Sequence, residues 1–258
     1  MYPIDLADKV GIVFGVANHR SIAWSIAEIL HQAGARLAIA YQNERVREGV
    51  AKLVASWENT TLIECDVSSD ENVAATFDRV AEEFGRLDII VHCIAFANRE
   101  DLGGPFVDTT RDGFRVAMDI SAYSLVSIAR YGSPLMVESG GSIVALTFQA
   151  SNRVFPGYNI MGTAKAALEN EVKQLASDMG QRNIRVNAIS AGPLDTLSSR
   201  VIAHYRDMKR VHAERSPMRR NITVEEVAKT ALYLCSDLSS GVTGEVIHVD
   251  TGYNIMGI

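Results

Sequence analysis

Short apolar runs alternate with longer amphipathic stretches along most of the chain. Residues 9–14, 36–41, 61–65 and 87–92 are apolar runs of strand length. Residues 21–32 place Ile22, Ile26 and Ile29-Leu30 on one helical face, with Gly34 as a stop, and residues 45–56 predict a second helix. Ser68-Ser69-Asp70-Glu71 has the spacing of a capping box and opens a third helix ending near Phe84. The second half continues with a helix over 110–130, a strand over 142–146 and a long helical pattern from Tyr158 to about Gly180. A strand over 185–190, a helical insertion over 200–215, a capped helix opened by Thr223 and a last strand over 245–249 complete the pattern. Strands alternating with helices of this length imply βαβ units, a parallel sheet and right-handed crossovers, an α/β architecture. No repeat, low-complexity tract or linker divides it, so residues 1–258 are read as a single domain.

Composition narrows the class. With 258 residues, 47% of them hydrophobic, the chain can bury a full core. Its net charge of -6 and the absence of a basic run argue against nucleic acid, and no tract has the length of a membrane span. The first residues lack the charged-then-apolar layout of a signal peptide, so a cytoplasmic location is expected. Cys65, Cys93 and Cys235 are odd in number, widely spaced and flanked by apolar residues, which suggests buried thiols. The histidines show no metal-ligand spacing, and no metal is expected.

Tyr158 and Lys165 supply the first candidate chemistry. They stand seven apart at the head of the long helical pattern, almost two turns, which predicts one shared face. An ammonium beside a phenol would pull the phenol pKa down from about 10 towards neutrality, suiting it to donate a proton near pH 7. An amphipathic surface helix carries such pairs too, and the spacing alone leaves both readings open.

The strand ends supply the second. Gly15 follows the first strand and Ser21-Ile22-Ala23 opens the next helix, without the G-x-G-x-x-G pattern. Gly15 would let the chain turn beneath a cofactor, and the Ser21 hydroxyl and Ile22 amide would meet phosphate; an ordinary turn with a serine N-cap fits the same residues. After the second strand, Gln42 can hydrogen-bond a ribose 2′-hydroxyl and offers no charge to a 2′-phosphate, favouring NADH (NAD+); Arg45 nearby keeps NADPH as the lesser alternative. Asp66-Val67, placed to hold adenine or simply to turn the chain, follow the third strand, and Cys93-Ile94-Ala95 would underlie a nicotinamide after the fourth.

Taken together, these residues resemble the divergent short-chain dehydrogenase/reductases with Tyr-x-x-Met-x-x-x-Lys, here Tyr158, Met161 and Lys165. More narrowly, nearly the whole chain is similar to the NADH-dependent enoyl-acyl-carrier-protein reductases. Supporting segments include Gly15-Val16-Ala17, Tyr41-Gln42-Asn43-Glu44, His92-Cys93-Ile94-Ala95-Phe96-Ala97, Asp119-Ile120-Ser121-Ala122-Tyr123-Ser124 and Asn187-Ala188-Ile189-Ser190-Ala191-Gly192-Pro193. The resemblance implies a Rossmann-type doubly wound sheet and reduction of a trans-2-enoyl thioester on acyl-carrier protein, the last step of fatty acid elongation. It implies Tyr158 and Lys165 as catalytic residues and a homotetramer. Gly15, Ser21, Ile22, Gln42, Asp66, Val67, Ile94, Lys165 and Leu194 would line the cofactor, and Ala97, Phe148, Tyr158, Met161, Tyr205 and Met208 the substrate. Residues 197–217 follow a strand end and carry charges suited to an exposed face; they would form a substrate lid, and a fixed surface helix pair fits the same residues.

Four departures stand out. Phe148 replaces a second tyrosine that many members carry, and Asp195 stands where a basic residue is frequent. Of a basic cluster expected to meet the acidic carrier protein, Arg206 matches while Ala203 and Asp207 do not; Lys209, Arg210 and Arg215 offer either a second patch or a solvated face. A ketone or alcohol reductase is the alternative activity, opposed by Gly162 within the Tyr–Lys spacing and by Ala145, where those enzymes carry serine. A non-catalytic nucleotide-binding relative is the other, opposed by the intact Tyr158 and Lys165.

Overall fold

The computed structural model describes residues 4–136, 140–196, 199 and 205–257. The first half contains β1 (Val10–Phe14), α1 (Ile22–Gln32), β2 (Arg36–Tyr41), α2 (Glu44–Leu53), β3 (Thr61–Glu64), α3 (Asp70–Phe84) and β4 (Ile89–His92). The second contains α4 (Arg111–Met118), α5 (Ser124–Gly132), β5 (Gly141–Thr147), α6 (Ile160–Met179), β6 (Ile184–Ala191), α7 (Tyr205–Arg215), α8 (Val224–Cys235) and β7 (Val246–Val249).

The strands form one parallel sheet in the order β3-β2-β1-β4-β5-β6-β7. Its central strands carry Val, Ile, Leu and Ala on both faces because both faces are covered. On one side Leu37, Ile39, Val91, Val144 and Ile189 pack against α1 and α8; on the other, Ile12, Phe14, Ile90 and Ile143 pack against α3, α5 and α6. The strand order reverses between β1 and β4, the crevice where such doubly wound, Rossmann-type sheets take ligands outside their carboxyl ends.

Two details differ from the sequence expectations. The N-cap of α3 is Ser69, which accepts from the Asn72 amide, one residue later than the capping-box reading on Ser68 and Glu71. Ser68 instead donates to the Asp66 carboxylate, because that acid must close the turn after β3. The helix expected over 110–130 contains a π-turn at Asp119–Tyr123 that splits it into α4 and α5. The capping box at Thr223 and Glu226, by contrast, is formed reciprocally.

Candidate active site

The carboxyl ends of β1, β2, β3, β4, β5 and β6 open into one cavity of about 730 Å³. Every site residue singled out from the sequence lines it: Gly15, Ser21, Ile22, Gln42, Asp66, Val67, Ile94, Lys165 and Leu194, with Ala97, Phe148, Tyr158, Met161, Tyr205 and Met208. Residues more than 190 positions apart converge because each strand delivers its last residue to the same edge.

At the β1 end the fit is enforced by backbone. Gly15 has φ +94°, and a Cβ there would lie 2.1 Å from the Cys93 carbonyl oxygen, so only glycine lets this turn sit against β4. The Ser21 hydroxyl accepts from the Ala17 and Asn18 amides, each at 3.1 Å. Ser21 thus holds the glycine turn in shape and makes no side-chain cap to α1. The cleared turn and the free helix start fit an extended pyrophosphate. Gln42 is exposed at the cavity rim, whereas Arg45, also exposed, does not line the cavity.

Tyr158 departs from the expected geometry. It lies in the turn before α6, whose N-cap is Asn159, so the two-turn helical argument that put it on a face with Lys165 does not describe it. Its ring meets Phe148 edge-on at 5.0 Å, and Phe148 in turn packs 4.7 Å from Phe155. Burial in this apolar wall, with Tyr205 nearby, pushes the phenol above its ordinary pKa rather than towards neutrality.

Lys165 is 4% exposed, and its Nζ donates to the Leu146 carbonyl at 2.7 Å and the Ile94 carbonyl at 3.4 Å. Desolvation pulls it down to about 8, opposed by Cys93 and Glu169. The ammonium is thus held by the carbonyls of two strand ends. Cys65 and Cys235 are buried free thiols as expected; Cys93 is half-buried at the cavity floor.

The stretch expected to form a lid, residues 197–217, is described in part. Residues 197, 198 and 200–204, including Ala203 and His204, lie outside the described residues. From α7, Tyr205 and Met208 reach the cavity, and the Tyr205 hydroxyl donates to the Leu194 carbonyl at 2.5 Å. Lys209 pairs with Asp195, and Arg210 with Glu214 at 3.0 Å and Asp207 at 3.7 Å. Of the two readings open for this face, a second patch or a solvated surface, the structure shows Lys209 and Arg210 engaged in local ion pairs, and Asp195, the departure noted above, ties α7 to the loop after β6.

Sequence reasoning missed Ser121, whose hydroxyl bonds both the amide (2.8 Å) and the carbonyl (2.9 Å) of Phe96. The π-turn bearing it thereby fixes the loop after β4. The segment 119–124 drew attention by resemblance, but nothing in its spacing signals a π-turn. Asn159, which reaches across to Gly103 and Gly104, was missed also.

A model of the family described as enoyl-(acyl carrier protein) reductase matches residues 15–254. The chain is 51% identical to the enoyl-[acyl-carrier-protein] reductase [NADH] of Bacillus cereus, covering 98% of this chain and 99% of that one. It is 48% identical to the enzyme of the same description from a Nostoc species, over 99% and 100%. A crystal structure of the Bacillus cereus enoyl-acyl carrier protein reductase with NADP+ and indole naphthyridinone superposes with a TM-score of 0.96 at 50% identity, covering all of both chains. The matched span, running from the glycine turn through Tyr158 and Lys165 to the end of β7, makes this chain a member of the enoyl-(acyl carrier protein) reductase family.

Proposed function

We propose that this chain reduces the trans-2 double bond of enoyl thioesters on acyl-carrier protein with NADH, the last step of fatty acid elongation. The observation that carries this reading is the meeting of Tyr158 and Lys165 with the glycine-cleared strand ends in one cavity, in a chain of this family. NADH would lie over Gly15, Ser21 and Ile22, with Gln42 at the adenosine ribose, Asp66 and Val67 at adenine, and Ile94, Leu194 and Lys165 towards the nicotinamide. When bound, it supplies the hydride that reaches the substrate β-carbon.

The protein's part is charge stabilisation and orientation. As the β-carbon is reduced, negative charge grows on the thioester oxygen, and Tyr158 donates a hydrogen bond to it. A phenol held above its ordinary pKa stays protonated through the working pH range, which suits it to this donor role. Lys165 keeps the field positive beside it, while Ala97, Phe148, Met161, Tyr205 and Met208 surround the acyl chain. The neutral Gln42 and the absence of Arg45 from the cavity support NADH over NADPH. Residues 1–258 act as one domain, with 197–217 as the substrate lid.

No described helix is long and apolar enough to cross a membrane, and we place the enzyme in the cytoplasm as a homotetramer. Phe114 and Tyr123, both at least 40% exposed around the end of α4, support a subunit contact there. The test is NADH oxidation with a trans-2-enoyl thioester on coenzyme A and on acyl-carrier protein. Tyr158→Phe is expected to lower kcat by about 10²-fold while leaving NADH affinity within about twofold. Full turnover by the phenylalanine variant would remove Tyr158 from the chemistry.

A further inference from the structure

Asn159, directly after Tyr158, has φ 37° and ψ -120°. Those angles belong to the first central position of a type II′ turn, where glycine is the usual occupant because a Cβ is strained there. The turn is closed by the Met161 amide donating to the Tyr158 carbonyl at 3.1 Å. A strained residue persists only where its surroundings over-determine it, and here the surroundings are specific. The Asn159 Nδ2 donates to the Gly103 carbonyl at 2.7 Å and to the Gly104 carbonyl at 3.1 Å. Both neighbours are acceptors, so the amide nitrogen must face them. Gly103 and Gly104 themselves have φ +112° and +65°. The loop they form follows Leu102, which lines the cavity; Asn159 does not.

We propose that Asn159 is a positioning residue, whose amide clamps the turn carrying Tyr158 to the Gly103-Gly104 loop and so fixes the phenol against the cavity. The physical need is plain. Tyr158 precedes α6 and is not held by the helical ladder; its own amide donates only to the Phe155 carbonyl, 3.0 Å away within the same turn. Beyond the edge-on packing of its ring on Phe148, the Asn159 amide supplies the hydrogen bonds that tie this turn to a loop more than fifty residues away. The clamp also makes the loop beside the substrate and the tyrosine move as one body.

The inference rests on the reductase reading, and two variants with two readouts separate them. Asn159→Gly relaxes the turn but deletes the clamp; Asn159→Asp keeps the size but sets a carboxylate against two carbonyl oxygens. Both are expected to lower kcat by about 10- to 100-fold, the usual cost of misplacing a reacting group by about an ångström, with NADH affinity within about twofold. In a Tyr158→Phe background, Asn159→Gly should cost less than about twofold more, because it acts through the phenol. Hydrogen exchange of the amides in 102–106 needs no substrate: Asn159→Gly should speed it by about tenfold, leaving β1 and β4 unchanged. Wild-type kcat in Asn159→Gly, an undiminished cost in the Tyr158→Phe background, or unchanged exchange would each overturn the clamp. Absence of turnover in the wild type would instead count against the reductase reading, and the exchange result would still decide the clamp.

Discussion

The two walls of the cavity are built by different means. Under the expected nicotinamide cofactor, the β1, β2 and β3 ends present backbone and short side chains, and the fit depends on one missing Cβ, at Gly15. On the expected substrate side the wall is made of loops and a helix pinned by individual side chains: Ser121 to Phe96, Asn159 to Gly103 and Gly104, Tyr205 to Leu194, Lys209 to Asp195. The first wall inherits its rigidity from the sheet. The second is rigid only as far as those bonds hold, and such segments supply the parts that open and close around ligands.

The sharpest way to break this contrast is at Gly15. Gly15→Ala sets a methyl 2.1 Å from the Cys93 carbonyl oxygen at a backbone angle that alanine resists. NADH affinity, read by fluorescence titration, should fall by about 100-fold or more. Near-normal affinity would mean that the floor yields, and the two walls would not differ in kind.

Lys165 joins the walls, and pH reads it. Burial holds it near 8, below the 10.5 of an exposed lysine. As pH rises from 7 to about 9.5 the ammonium is lost and NADH affinity should weaken by about tenfold, with Lys165→Met weak and flat across the range. Stability should move in the opposite direction. Between about 8 and 10.5 the unfolded chain binds more protons than the native one, so this group's contribution rises with pH there and its penalty is greatest below 8. A melting series on the cofactor-free protein, compared with Lys165→Met, checks the sign.

The smallest effect belongs to the tie on α7. Asp195 is largely exposed, so the Lys209–Asp195 pair is worth about 0.2–1 kcal/mol. Lys209→Ala should raise KM for the thioester by about two- to fivefold and leave kcat and NADH affinity unchanged. A large fall in kcat would promote this pair from tether to part of the working site.

Much of the fold and half of the site were legible beforehand. The alternation of apolar runs with amphipathic stretches specified parallel strands and their crossovers, because a strand buried on both faces leaves no choice of residue type. Once the strands were placed, chain order located Gly15, Gln42, Asp66 and Ile94 at their ends, since parallel strands all finish at one edge of a sheet. Local caps were half legible: Thr223 and Glu226 form their box, while the box read on Ser68 gave way to Ser69 when Asp66 took the earlier serine.

Tertiary structure decided what depends on partners distant in sequence. Spacing put Tyr158 and Lys165 on one helical face, but a type II′ turn removes the tyrosine from the helix, and the carbonyls of Leu146 and Ile94 take the lysine. The direction of the tyrosine's pKa is set by burial in the folded wall that Phe148 and Phe155 help to build, an environment no spacing rule encodes. Neither the Asn159 clamp across more than fifty residues nor the pairing of Lys209 with Asp195 has any local signature. By itself the sequence determined what its periodicities encode, the elements and the edge where they end. The charge state and placement of the groups on that edge are set by desolvation and by which backbone acceptors lie within reach, and those exist only once the chain has folded.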